Sequence, residues 1–158
     1  MAYDPQKIIN TANSFSLAAD RALEQRLLGP GQFQMLLVPA VVSTAFAVEL
    51  YFKGIITLES GNTQGHNLSE LFKRLSPESQ AALAAGLELD RQIFNQKLEA
   101  ISKVFVQWRY IFEHQTANLE PLFLAKLARE SKRVAEEMAA SNLKRNTSDK
   151  PARSGIPR

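Results

Sequence analysis

The sequence predicts an all-α fold, an antiparallel bundle of about five helices. Three observations carry that expectation. Apolar residues recur at three- and four-residue spacing along most of the chain, capping residues stand before those stretches, and no run alternates as a strand does. The 158 residues suit a single domain, and 45% hydrophobic with 22% charged residues is ordinary for a chain that buries a core.

Each element has its own warrant. Asp4 before Pro5 is an N-cap followed by a proline at the first helical position. Ile8, Ala12, Phe15, Ala19 and Leu23 then fall on one helical face, until Gly29-Pro30-Gly31 makes a loop. Pro39 is expected to open a second helix that runs to about Leu58, ahead of Ser60-Gly61-Asn62. Val41, Val42, Phe46, Val48, Leu50, Phe52, Ile55 and Ile56 make it apolar on nearly every side, which places it in the middle of the bundle. Phe33 to Val38 is ambiguous, because a residue before proline is pushed away from helical geometry.

Asn67 with Glu70 forms a variant capping box for a short helix bearing Leu68, Leu71, Phe72 and Leu75. Ser76-Pro77-Glu78 restarts the chain as a helical stretch toward Leu89. From about Asp90 a longer helix shows Phe94, Leu98, Ile101, Phe105, Trp108 and Phe112 in alternating steps of four and three, a seam suited to antiparallel packing. Asn118 and Glu120 mark a last start, with Leu119, Phe123, Leu127, Val134 and Met138 on the buried side. The expected organisation is one helical domain over residues 1–140 and a basic, disordered tail over 141–158.

Charge and composition narrow the function classes. The tail holds Lys144, Arg145, Lys150, Arg153 and Arg158 against Asp149 alone, so it carries +4 of a formal +3 and leaves the body at −1. The body is therefore not a basic nucleic-acid platform overall. Without cysteine there is no disulfide, thiolate site or Cys nucleophile, and two histidines give no transition-metal site or other cofactor to expect. MAYDPQK lacks the pattern of a signal peptide. The apolar run Met35 to Val48 is 14 residues, short for a membrane span, so a cytoplasmic chain off the membrane is expected.

Three places in the chain can carry chemistry. Glu49 lies among Val42, Ala45, Phe46 and Ile56 on an apolar helical face, with Lys53 one turn on. An unpaired charge there is costly to bury, so the two groups either satisfy each other at a contact or line a polar cleft. His66 stands before the Asn67 cap, where it can simply satisfy loop backbone. In Arg109-Tyr110-Ile111-Phe112-Glu113-His114, the i, i+4 pair Arg109 and Glu113 face each other, and His114 would sit at a helix C-terminus favoured by the dipole. His114 is about 140° around a regular helix from Arg109, so both reach one phosphate only if the helix ends or distorts near Glu113.

Together AVELYFKG (residues 47–54), GHNLSELF (65–72) and WRYIFEH (108–114) resemble the HEPN superfamily of small helical-bundle domains, over most of residues 5–140. Many of its members are metal-independent endoribonucleases with an Arg and a His separated by four to six residues, a spacing that Arg109 and His114 match. The resemblance implies His114 as general acid/base at the RNA 2′-hydroxyl or leaving oxygen, and Arg109 as the group that neutralises the scissile phosphate. Beside that pair, Glu49, Lys53, His66, Tyr110 and Glu113 are the candidate supporting or binding residues. The resemblance also implies a homodimer, since the family usually builds this site between protomers. A toxin or defence role beside an antitoxin or nucleotidyltransferase partner goes with that reading. Tyr110 departs from the pattern, because nuclease members commonly have Asn, Asp or His after the Arg. The alternative is a non-catalytic HEPN module that binds RNA, nucleotide or a protein partner through the same cleft.

Overall fold

The computed structural model describes residues 3–102 and 120–148. Within them lie six helices and one two-stranded sheet: α1 (Pro5–Ala22), β1 (Arg26–Gly29), β2 (Gln32–Gln34), α2 (Leu37–Leu58), α3 (Leu68–Lys73), α4 (Pro77–Gly86), α5 (Arg91–Ile101) and α6 (Pro121–Ser148). The all-α class holds, apart from that small sheet.

Most helix starts follow from their capping side chains. The Asp4 carboxylate accepts from the N–H groups of Gln6 and Lys7, and Asn67 accepts from Glu70 N–H. Ser76 and Asp90 do the same for α4 and α5. Each such bond satisfies a backbone donor that the first helical turn leaves open.

The core is centred on α2. It packs along α1 most extensively, then against α6 and α3. Val41, Ala45, Ala47, Val48, Tyr51, Phe52, Ile55 and Ile56 are all buried, as an apolar-all-round helix requires. An aromatic path crosses the bundle from α2 through α3 and α5 to α6. Its ring centroids are 6.0 Å apart for Phe52–Phe72, 4.9 Å for Phe72–Phe94 and 6.0 Å for Phe94–Phe123, in tilted and edge geometries that such rings prefer. Phe94, Leu98 and Ile101 form the buried side of α5, while Phe105, Trp108 and Phe112 of the expected seam lie outside the described residues.

The structure corrects the sequence reading in three places. Residues 26–34, expected as the end of the first helix, the Gly29–Gly31 loop and an ambiguous stretch from Phe33, form an antiparallel hairpin pairing Arg26 with Gln34 and Leu27 with Phe33. Pro30 followed by Gly31 at φ +71° has the residue pattern of a type II turn, so the same Gly-Pro-Gly that suggested a helix stop makes a strand reversal. The first helix ends earlier than expected, at Ala22, where the Leu36 N–H takes an end-of-helix carbonyl and closes the hairpin base at 2.9 Å.

The second correction is at α2, which begins two residues before Pro39. A proline in the first turn is tolerated because its missing N–H has no helical acceptor there. The helix that holds much of the apolar run is thus 22 residues long, the single described helix long and apolar enough by composition to cross a membrane. Half of its 22 residues are buried inside the protein itself.

The third lies at the other end. Helix α6 continues through Ser148, so residues 141–148 of the expected tail are helical. No proline intervenes before Pro151, and the Ser141 and Thr147 hydroxyls bond back to the carbonyls of Glu137 and Lys144 within the helix.

Candidate functional site

Glu49 is buried completely, on the middle turns of the core helix. A carboxylate in that position requires partners, and two arrive at the same oxygen. Lys53 Nζ donates to Glu49 Oε1 at 2.8 Å from the next turn, and His66 Nδ1 lies 2.8 Å from that oxygen. Glu49 Oε2 is buried and has no hydrogen-bond partner among the described residues. A carboxylate only accepts, so His66 must carry its proton on Nδ1, which leaves Nε2 as the ring's free end. The Lys53 side chain is mostly covered, at 16% exposure, whereas the His66 side chain is 69% exposed.

Local sequence explains how His66 reaches a carboxylate 17 residues earlier in the chain. Helix α2 ends in a Schellman arrangement: Gly61 N–H bonds Ile56 O at 2.8 Å and Ser60 N–H bonds Thr57 O at 3.1 Å. Ser60 holds the left-handed position at φ +60°, and a Cβ on Gly61 would come within 2.8 Å of Ile56. The chain therefore folds back over the end of α2. Asn62 Oδ1 accepts from Gln64 N–H at 2.9 Å, and the Arg74 guanidinium donates to the carbonyls of Asn62 and Gln64. Gly65, at φ +92°, completes the turn that delivers His66.

The result is a cleft of about 800 Å³. Tyr3, ahead of α1, and Pro5 and Ile8 at its start form one side, and α2 supplies Leu50, Lys53 and Thr57. The loop from Ser60 to His66 forms the remaining wall. Its chemistry is mixed: an apolar strip, an ammonium group, an imidazole, hydroxyls and amides. That set suits a polar ligand carrying hydroxyls and a negative charge.

Of the residues singled out by sequence, Glu49, Lys53 and His66 are brought together. Arg109, Tyr110, Glu113 and His114 lie outside the described residues. The loop contributions of Ser60, Asn62, Thr63 and Gln64 went unrecognised, because Ser60-Gly61-Asn62 signalled only a helix stop. Glu59 was missed as well. Its carboxylate accepts from Ser76 N–H at 2.9 Å and Ser79 Oγ at 2.6 Å, fastening α4 to the end of α2. Among the described residues no three His, Asp or Glu side chains are grouped to hold a metal ion.

Deeper in the bundle, Tyr51 Oη donates to Asn13 Oδ1 at 2.7 Å, and Asn13 Nδ2 donates to Glu136 at 3.1 Å. Burial pushes the Tyr51 hydroxyl up to about 12, with the Glu136 and Asp20 carboxylates adding to the rise and a Ser16 hydrogen bond opposing it. The network ties α1, α2 and α6 together and stands apart from the cleft lining.

The chain matches no protein-family model, no curated protein and no solved structure.

Proposed function

We propose that this chain is a HEPN-type helical module that binds RNA, taking one nucleotide unit in the cleft between the start of α1, α2 and the 60–66 loop. The observation that carries this reading is the shared Glu49 oxygen. It fixes Lys53 and His66 side by side at the cleft, and leaves ammonium donors and an imidazole nitrogen for a phosphate or ribose hydroxyl. Thr57, Ser60, Asn62 and Gln64 supply further groups suited to ribose and base edges.

The test is fluorescence anisotropy of a labelled single-stranded RNA against wild type, His66→Ala and Lys53→Gln. Glutamine keeps a hydrogen bond for Glu49 and removes the charge. Both variants should weaken binding about tenfold or more. Binding unchanged in both, or no RNA binding by wild type, would sink the proposal.

A second reading, endoribonuclease activity, is favoured by the Arg109–His114 spacing. In it the 2′-hydroxyl loses its proton to a base and attacks the adjacent phosphorus. The bond to the 5′-oxygen breaks, that oxygen takes a proton, and the products are a 2′,3′-cyclic phosphate and a 5′-hydroxyl. His114 serves the proton transfers and Arg109 the phosphate charge. An antitoxin or nucleotidyltransferase partner would hold such an activity in check. Cleavage by purified protein in EDTA, lost in His114→Ala, is the expected result. Intact RNA after any co-purifying protein is removed would leave the binding module alone.

A further inference from the structure

Seven large apolar side chains between residues 27 and 38 are exposed: Leu27, Leu28, Phe33, Met35, Leu36, Leu37 and Val38. They gather on the hairpin and its exit into α2, and Leu27, Leu28 and Phe33 are each about two-thirds exposed (67%, 64% and 65%). Their combined apolar area is on the order of 600 Å², the upper end for a single patch on a monomer. The hairpin is also a bare pair of strands, and two strands alone are marginal in water.

From this we infer that β2 is a self-complementary edge at which two copies of this chain pair antiparallel, building the sheet β1-β2-β2-β1 across a two-fold axis. The sequence of β2 supports the symmetry. Gln32-Phe33-Gln34 reads the same in both directions, so a partner reversed about Phe33 sets Phe against Phe and Gln against Gln. Aromatic and amide pairs of that kind are favourable cross-strand neighbours.

Charge selects the edge. Sheet edges left unpaired in native proteins are usually guarded by lysine, other charges or proline. β2 has none of these, whereas β1 begins at Arg26, and self-pairing there brings two guanidinium groups close. No third strand is present among the described residues to cover β2.

Area sets an upper bound. Both copies together hold on the order of 1,200 Å², and since Met35, Leu36, Leu37 and Val38 lie beyond β2, pairing along Gln32–Gln34 covers only part of it. The symmetry of Gln32-Phe33-Gln34 and the unguarded edge therefore name a second copy as the occupant, and the inference stands independently of the RNA reading.

The chain has no cysteine, which makes a single-site crosslink clean. Residues directly opposite in an antiparallel pair have Cα atoms about 4.5–5.5 Å apart, within disulfide range. Phe33→Cys should oxidise rapidly to a covalent dimer at tens of micromolar. Leu122→Cys, more exposed at 80% but on the first turn of α6, should not. Sedimentation should show wild type as a dimer and Phe33→Lys as a monomer of unchanged helix content, with dimer affinity weakened at least a hundredfold by facing ammonium groups. A monomeric wild type would assign the patch to a different partner and overturn the inference. So would a Phe33→Lys protein that remains dimeric, or a Phe33→Cys protein that crosslinks no faster than Leu122→Cys.

Discussion

Glu49 Oε1 lies 2.8 Å from His66 Nδ1, and this contact joins the centre of the core helix to a loop 17 residues further along. The imidazole covers one side of a buried charge, and the charge fixes the tautomer and position of an exposed ring. Neither residue has a complete role without the other. Lys53 takes the same oxygen at the same distance, so one carboxylate positions two nitrogen groups at the cleft.

The first prediction follows from that shared oxygen. Glu49→Ala leaves the mostly buried Lys53 ammonium without its partner, and breaking a buried pair from one side costs about 3–5 kcal/mol. Glu49→Gln retains an acceptor and should cost less. His66→Ala should change stability by no more than about 1 kcal/mol, since its ring is largely solvated. Urea unfolding of the three proteins checks the order. A Glu49→Ala loss below about 1 kcal/mol would show that Lys53 escapes to water at little cost.

How much of this was legible beforehand depends on the range of the signal. Glu49 and Lys53 stood out because a charge on an apolar helical face violates a local pattern, and that pattern needs only helical geometry. The capping roles of Asp4, Asn67 and Ser76 were equally local. The meeting of His66 with Glu49 was not, since it depends on a Schellman ending and on Arg74 holding the 62–64 loop. The hairpin escaped for another reason. Arg26–Gly29 and Gln32–Gln34 are too short to display alternation, and both faces are apolar in part. The stretches that carry the resemblance to HEPN domains also contain Glu49, Lys53 and His66, whereas Arg109 and His114 rest on spacing alone.

The second prediction concerns alkaline pH. The Tyr51 hydroxyl is raised from 10.0 to about 12 by burial in the folded protein. Between those values the unfolded chain releases this proton and the folded chain keeps it. The folded state then binds more protons, so stability falls as pH rises. The contribution is fully present below pH 10 and gone by about pH 12, a loss on the order of 2–3 kcal/mol. Tyr51→Phe removes the hydroxyl and should flatten this part of the curve. Unfolding free energies measured from pH 9 to 12 for both proteins decide it; identical slopes would mean that Tyr51 ionises equally in both states.

The third prediction separates phosphate contact from general stickiness. If Lys53 meets a phosphate, Lys53→Gln should reduce the slope of log affinity against log salt by about 0.7, the value for one lost contact on a single strand. Thr57→Val leaves that slope unchanged while weakening binding, because a hydroxyl contact releases no counterion. Removing residues 149–158, which hold Lys150, Arg153 and Arg158, isolates the contribution of the basic end. A slope that responds only to that truncation would move the phosphate contact from the cleft to the chain terminus.

The fourth prediction tests the close approach of α1 to α2. Gly54 sits inside α2, where glycine costs about 1 kcal/mol relative to alanine, so helix propensity by itself favours Gly54→Ala. Packing opposes it. A Cβ at that position would lie 2.8 Å from Ile9 Cγ1 and 3.5 Å from Ile9 Cδ1. Ile9 is fully buried and Cγ1 is near the start of its side chain, so it cannot move aside without disturbing α1. Overpacking of this kind costs about 1–3 kcal/mol, enough to outweigh the propensity gain. Gly54→Ala should therefore be less stable than wild type by about 1 kcal/mol. Ile9→Ala removes the obstructing atom, at the cost of a cavity. In the double variant the added methyl fills part of that cavity, so the combined loss should be smaller than the two single losses together. Urea midpoints for the four proteins give the coupling directly. A stabilised Gly54→Ala single variant would mean that the two helices have room to separate, and that Gly54 is not what lets them pack so closely.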